Sequence, residues 1–256
     1  MKISFQIRKD ETLPELLFCW RMNIEVAQET AVPDIFIPEL FFDYIYIPKG
    51  EITSAGAALP QQTLKTLHTQ RLDLILQMPL VLYGARFTLP FAELFWQKEM
   101  PANSFLAQDW LESPVLDLDS FTSQVVTAVT KQRTPKTIAP MFHPSLAETD
   151  WLAAYSPRHK RRLYKSVLGI SQKELRAIQN VHQFLGQTCD FATGMPRIVE
   201  YVNADSFYDQ PHLNNAFKKV TGLSPLAYFE ANSFLQDNLM AASYNEHSGQ
   251  EDTMRL

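Results

Sequence analysis

Two cysteines in 256 residues set the first limit on this chain. Cys19 and Cys189 form no metal-binding or redox spacing and fall in different halves of the sequence, so reduced, buried thiols are expected rather than a disulfide framework. Histidine is scarce as well. Only His68 precedes residue 132, whereas a protein-bound metal needs several donors at once, so no ligand set can be read in the first half and no metal is expected. A nucleophile elbow, a phosphate-binding glycine loop and a metalloprotease signature are all missing, and the expectation is neither an enzyme nor a cofactor-binding protein. No run is apolar enough to span a bilayer: the longest candidate, residues 35–48, is interrupted by Pro38, Glu39 and Asp43. The opening MKISFQIRKDETLPELL lacks the uninterrupted apolar core of a secretion signal, so a cytoplasmic location without a membrane partner is expected.

The charge that is present is unevenly placed. The chain carries a net −5, but residues 1–132 hold 10 Lys and Arg against 16 Asp and Glu, residues 133–235 hold 12 against 8, and residues 236–256 hold 1 against 4. One basic module in an acidic protein fits a specific nucleic-acid reader better than a bulk coater, because phosphate contacts supply most nonspecific affinity. Residues 236–256 are polar and are expected to be a disordered tail.

Residues 1–132 read as β structure. LLFCWRMNIEV, DIFIP, FFDYIYIP and LDLILQMPLVLYGARFTL are β-branched and aromatic runs broken by Pro or Gly, the pattern of a small antiparallel sandwich or barrel. Helices are expected at residues 91–96, 103–111 and 120–131, ahead of a linker at 132–136. Trp20, Phe41, Phe42, Tyr44 and Tyr46 either fill a core or line a pocket, with alternation favouring the core. Arg86 is either a pocket cation or a strand-face residue paired with a carboxylate. His68 and the acids Asp117 and Asp119 suggest no site, and no ligand-binding residue can be assigned.

The strongest positive signal is a repeat. LYKSVLGIS at residues 163–171 returns as AFKKVTGLS at 216–224, an offset of 53 that also superposes His159 on His212 and Gly169 on Gly222. Each copy opens with a helix-start residue, Ser156 before Pro157 and Asp209 before Gln210 and Pro211. At helical spacing, Arg158, Arg161, Arg162 and Lys165 share one face of the first helix, away from Leu163, Val167 and Ile170. Gln210, Asn214, Asn215 and Lys218 share a face of the second, opposite Phe217 and Val220. Arginine and lysine suit guanine edges and phosphates, asparagine and glutamine suit adenine edges, and a helix fits a major groove. Each such helix follows a shorter apolar helix candidate, residues 145–154 and 196–203, which gives a helix-turn-helix order. A helix over 171–187, opened by a Ser171/Glu174 capping box, would link the two units. His159 and His212, beside the apolar faces, read as structural histidines.

SPRHKRRLYKSVLGISQKELRAIQNVHQFL and SFYDQPHLNNAFKKVTGLSPLAYF resemble the double helix-turn-helix domain of AraC-type bacterial transcription regulators, over about residues 133–235. Phe207, Tyr208, Asp209, His212, Phe217, Lys218, Gly222, Ser224 and Pro225 carry most of that likeness. The resemblance implies an all-α DNA-binding domain with base-facing positions at Arg158, Arg161 and Arg162, and at Gln210, Pro211, Asn214 and Asn215. YGARFTLPFAELF at 83–95 is similar to the end of the cupin-like sensor region of one subgroup, and Pro38 to Tyr46 to its proline-to-aspartate strand motif. The implied whole is an α+β protein of two domains: a ligand-sensing and dimerisation domain at 1–132 and a DNA-binding domain at 133–235. Its implied partners are double-stranded DNA, a small-molecule or protein effector, a second copy of the chain and, for an activator, RNA polymerase. Activation and repression are not distinguishable from sequence. Lys160 stands where the family usually has a buried leucine, Ala154 and Ser206 where the turns usually have glycine, and Asn215 where arginine is common. These departures keep open a second reading, a member of the fold that has lost DNA binding and acts as a protein-interaction module.

Overall fold

A computed structural model describes residues 1–95, 99–132, 156–188, 210–231 and 233–247. Eight strands come first: β1 (Lys2–Arg8), β2 (Leu16–Glu25), β3 (Thr30–Phe36), β4 (Phe42–Ser54), β5 (Ala57–Ala58), β6 (Gln62–Lys65), β7 (Leu72–Phe87) and β8 (Phe105–Ala107). Among the described residues six α-helices follow: α1 (Leu118–Gln132), α2 (Pro157–Leu168), α3 (Gln172–Thr188), α4 (Gln210–Thr221), α5 (Pro225–Glu230) and α6 (Phe234–His247). The shorter helix candidates at 145–154 and 196–203, most of the 132–136 linker, and Cys189 lie outside the described residues.

The strands make one antiparallel sheet in the order β1-β2-β7-β4-β6-β8, organised on β7. The first half of β7 pairs with β3 (Thr30↔Met78 to Phe36↔Leu72), and its second half pairs with β2 (Ile24↔Leu80 to Phe18↔Arg86). β4 runs along its other edge through a bulged register between Tyr46 and Glu51. Alternation along β2 sends Phe18, Trp20, Met22 and Ile24 to one face and Cys19 to the other, and both faces are buried. α1 covers the Cys19 face through Phe121, Val125 and Val129, and Leu163, Val167, Ile178 and Phe217 of the later helices continue that core. Trp20, Phe42 and Tyr44 are core residues, and Tyr46 is half-buried. Burial pushes the Cys19 thiol up to about 12, which makes it a poor nucleophile.

Three expectations need correction. Residues 103–111 hold no helix: Asn103 sits at φ +54°, and Phe105–Ala107 is β8, paired with β6 (Thr63↔Ala107 to Lys65↔Phe105). The exposed edge of β6 supplies partners that no local periodicity shows, and tertiary pairing overrides helical pattern there. The expected helix at 91–96 is a 3-10 segment, Leu89–Phe95. Most consequentially, the tail expected to be disordered from residue 236 is helical to His247. Leu235, Leu239, Met240 and Ala242 are buried, as are the polar Gln236 and Ser243. Their polarity suggests an exposed tail because the groups that satisfy them lie far earlier in the chain, Ile37 for Gln236 and Arg86 for Ser243.

Gly84 shows how tightly the second face is packed. It stands opposite Trp20 in the β2–β7 register, and a Cβ added to it would fall 2.2 Å from the buried indole ring. Gly84→Ala is therefore expected to lower stability by about 1–3 kcal/mol, measured by urea unfolding of the full chain.

Candidate nucleic-acid interface

The two halves of the repeat share capping chemistry. Ser156 caps α2 by accepting the His159 N–H at 3.3 Å, with Pro157 in the first turn where its missing N–H costs nothing. α2 ends at Gly169 (φ +75°), whose N–H reaches Lys165 O at 3.1 Å, and α4 ends at Gly222 (φ +73°), whose N–H reaches Lys218 O at 2.8 Å. Glycine is suited to both positions because the left-handed region disfavours a Cβ. Two residues later a serine opens the next helix. Ser171 exchanges bonds with Glu174 in a capping box (N to Oε2 2.7 Å; Glu174 N to Oγ 3.2 Å), and Ser224 Oγ accepts the Ala227 N–H at 3.2 Å. The sequence repeat is thus a repeated helix, glycine corner, serine-capped helix.

The α3 helix joins the two units. Leu175, Ile178, Val181 and Leu185 are buried along it, and Phe184 meets Phe217 of α4 edge-on at 5.7 Å between ring centroids. Phe217 in turn meets Tyr228 of α5 at 5.8 Å. With Leu163, Tyr164, Val167 and Leu168 of α2 also buried, each repeat helix has one face committed to the core.

The opposite faces carry the sequence-predicted residues. Arg158, Arg161, Arg162 and Lys165 are all exposed on α2, so four cations stand in solvent on one helix. His159 and Lys160 are half-buried at the margin. On α4, Asn214, Asn215 and Lys218 are exposed together with Lys219, and Gln210 and Pro211 form the first turn. Sequence reasoning missed an extension of the α2 surface. Arg161, whose Nε donates to Pro157 O at 3.2 Å, borders a surface recess completed by Ser171, Gln172, Lys173 and Arg176 at the start of α3. Lys173 and Arg176 are one helical turn apart, a signal visible in sequence, but only the α2–α3 corner brings them beside the α2 stripe. Burial opposes ionisation of Glu174, yet its bonds from Ser171 and the charge of Lys165 hold its carboxyl below the usual range. This surface offers exposed guanidinium and ammonium donors, the equipment for binding phosphates and base edges.

The β-sheet region offers less to a ligand. Arg86 is a paired strand-face residue: fully buried, it donates through Nε to Asp43 Oδ1 (2.8 Å) and through Nη2 to Glu39 Oε2 (2.7 Å). Lys65 Nζ joins Asp43 Oδ2 at 2.9 Å. Burial disfavours the Asp43 carboxylate, but Arg86 and Lys65 hold it below its ordinary value. The cavity bounded by Phe36, Ile45, Leu74, Leu235 and Leu239 is only about 10 Å³, room for one water at most. His68 is buried with Nδ1 2.8 Å from Thr66 O, and burial lowers its pKa to about 4, so it stays neutral. Among the described residues no group of three His, Cys, Asp or Glu is placed to hold a metal, and no helix is long and apolar enough to cross a membrane.

No family model and no curated protein sequence matches the chain. Among solved structures it is similar to that of ToxT from Vibrio cholerae, with 10% identity over 79% of this chain and 97% of that one and a TM-score of 0.38.

Proposed function

We propose that this chain is a sequence-specific DNA-binding transcription regulator of the AraC type, with α2 and α4 as its two recognition helices. The supporting observation is the pair of repeat helices, each buried on one face, of which α2 presents Arg158, Arg161, Arg162 and Lys165 to solvent. On this reading the two helices enter successive major grooves on one side of the duplex, about 34 Å apart. Arg158, Arg161 and Arg162 read base edges from α2; Gln210, Pro211, Asn214 and Asn215 do so from α4; Lys165, Lys218, Lys173 and Arg176 hold phosphates. The β domain serves as the regulatory and dimerisation domain, responding to a small molecule or a protein, and the protein acts in the cytoplasm without catalytic activity. An activator would also engage RNA polymerase.

Selection of duplex DNA from a random pool by the purified full chain, followed by titration of the winners against salt, tests the reading. Two enriched blocks about one helical turn apart are expected. Arg162→Ala should weaken the selected site by about 1–3 kcal/mol, whereas Lys165→Ala should weaken all sequences alike and reduce the salt slope by about 1. No enrichment, and no salt-dependent affinity from a folded chain, would turn the assignment to a protein-interaction module.

A further inference from the structure

The helix α6 lies beyond the repeat and packs against the β domain. Leu235, Leu239 and Ala242 enter the core built by Phe36, Ile45, Ile52, Leu74 and Leu76. The Gln236 side chain takes the place of a neighbouring strand: its Oε1 accepts the Ile37 N–H at 2.8 Å and its Nε2 donates to Ile37 O at 3.0 Å. At the other end of the contact, Ser243 Oγ accepts from Arg86 Nη1 at 3.1 Å. The helix is also tied to its own domain, where the Tyr228 hydroxyl of α5 donates to Met240 Sδ at 3.6 Å.

Its first turn meets an acidic residue. Asp34 of β3, only 2% exposed, points at the α6 N-terminus and accepts the Leu235 N–H at Oδ2 (3.2 Å), with the Phe234 N–H also in range. Its other oxygen, Oδ1, is buried without a hydrogen-bond partner. The charge that acts on Asp34 across the junction is another carboxylate, Asp237 of α6, which accepts the Ser233 hydroxyl at 2.6 Å. On β7, Asp73 is exposed and already paired with Arg71 (2.9 Å). The cations Arg86 and Lys65 are paired with Glu39 and Asp43, and on α3 His182 donates from Nε2 to Pro38 O at 2.7 Å. No cation therefore pairs with the Asp34–Asp237 junction among the described residues.

We infer that α6 is a proton-stabilised latch between the helical and β domains, docked through Asp34 and released when Asp34 and Asp237 are both charged. A neutral Asp34 still caps the helix and leaves no charge on the bare Oδ1, whereas a charged Asp34, buried and acted on by the half-buried Asp237 carboxylate, opposes docking. Burial raises Asp34 to about 7 and Asp237 to about 6 in the docked state. Once α6 leaves, both carboxyls return toward the ordinary 3.8. Docking thus takes up protons: it strengthens as pH falls from about 8 through these values and stops changing below the undocked value. Release would remove one of the contacts that hold the helices against the sheet, leaving the shared core and the His182–Pro38 bond in place; its consequence for DNA reading rests on the function proposed above, the latch itself does not.

Hydrogen exchange of the full chain, corrected for intrinsic rates and followed in peptides covering 235–242, tests the latch without DNA. The wild type should exchange there about tenfold faster at about pH 8 than at about pH 5.5, with β7 amides unchanged. Asp34→Asn combined with Asp237→Asn, which imitates the protonated pair, should hold α6 protected at both pH values. If that variant loses β7 protection as well, Gln236→Ala serves instead: it should expose α6 at both pH values and leave the pH ratio intact. Equal wild-type rates at the two pH values, a wild-type ratio in the double variant, or full α6 protection in Gln236→Ala would each overturn the latch.

Discussion

Truncating Arg86 to alanine is expected to destabilise the full chain by about 3–5 kcal/mol, read from the urea midpoint at neutral pH. The guanidinium makes contacts from all three nitrogens: Nε and Nη2 to Asp43 (2.8 and 3.2 Å), Nη1 and Nη2 to Glu39 (3.4 and 2.7 Å), and Nη1 to Ser243 (3.1 Å). It also lies 4.8 Å from the centroid of the Phe41 ring. Burial disfavours its charge, but Asp43 and Glu39 over-compensate and push its pKa further up, so it stays protonated throughout the accessible range. Arg86→Ala would leave Asp43 and Glu39 buried with Lys65 as the remaining cation of the set, and among the described residues Lys65 bonds to Asp43 and Phe41 O rather than to Glu39. The stranded carboxylates, more than the lost attraction, supply the cost.

That cause can be separated from lost packing by pH and by a conservative exchange. Asp43 ionises below its ordinary value in the wild type, so its contribution is present above the unfolded pKa of about 3.8 and lost only as pH falls through the lower folded value. In Arg86→Ala the stranded carboxyls should take up protons more readily, and the gap to wild type should narrow between about pH 7 and pH 5. A gap that is constant with pH would mean the loss is one of packing alone. Arg86→Lys keeps the charge but loses the planar fork that serves two carboxylates and Ser243, so an intermediate loss of about 1–3 kcal/mol is expected.

The parts of this molecule that could be read in advance are those whose causes are local. The α2 and α4 helices were legible because capping residues, apolar spacing and a corner glycine lie within a dozen residues of one another, and because the pattern occurs twice. The bulk of β2, β4 and β7 was legible from β-branched and aromatic runs ended by Pro and Gly. What escaped was long-range. β8 exists because β6 has a free edge, α6 because a groove formed by β3, β4 and β7 accepts Leu235 and Leu239. The choice between the two readings of Arg86 needed Glu39 and Asp43 to be brought to it from more than forty residues away. The proposed interface divides in the same way: the α2 stripe follows from helical spacing, whereas the addition of Lys173 and Arg176 depends on the angle at Gly169. That corner cannot relax freely, since a Cβ at Gly169 would come within 2.5 Å of Met100 O.

Phe217→Ala is expected to cost about 3–5 kcal/mol, with the loss falling on the helices packed around it. Phe217 is fully buried at the centre of the second unit, edge-on to Phe184 of α3 and to Tyr228 of α5. Its carbonyl also accepts the Thr221 hydroxyl at 2.9 Å at the end of α4. Removing the ring leaves a void among α3, α4 and α5, so α4 should loosen from α3. The sheet has its own second core, headed by Trp20, Met22 and Leu82, and should keep its hydrogen-exchange protection in this variant. On the proposed function, the selected DNA site should then lose the block read by α4 and retain the block read by α2, because Leu163, Val167 and Leu168 still hold that helix. The alanine variant of the equivalent repeat position, Tyr164→Ala, should spare the opposite block. Loss of both blocks together in a variant whose β amides remain protected would show that the two units fold as one and that α3 transmits the defect between them.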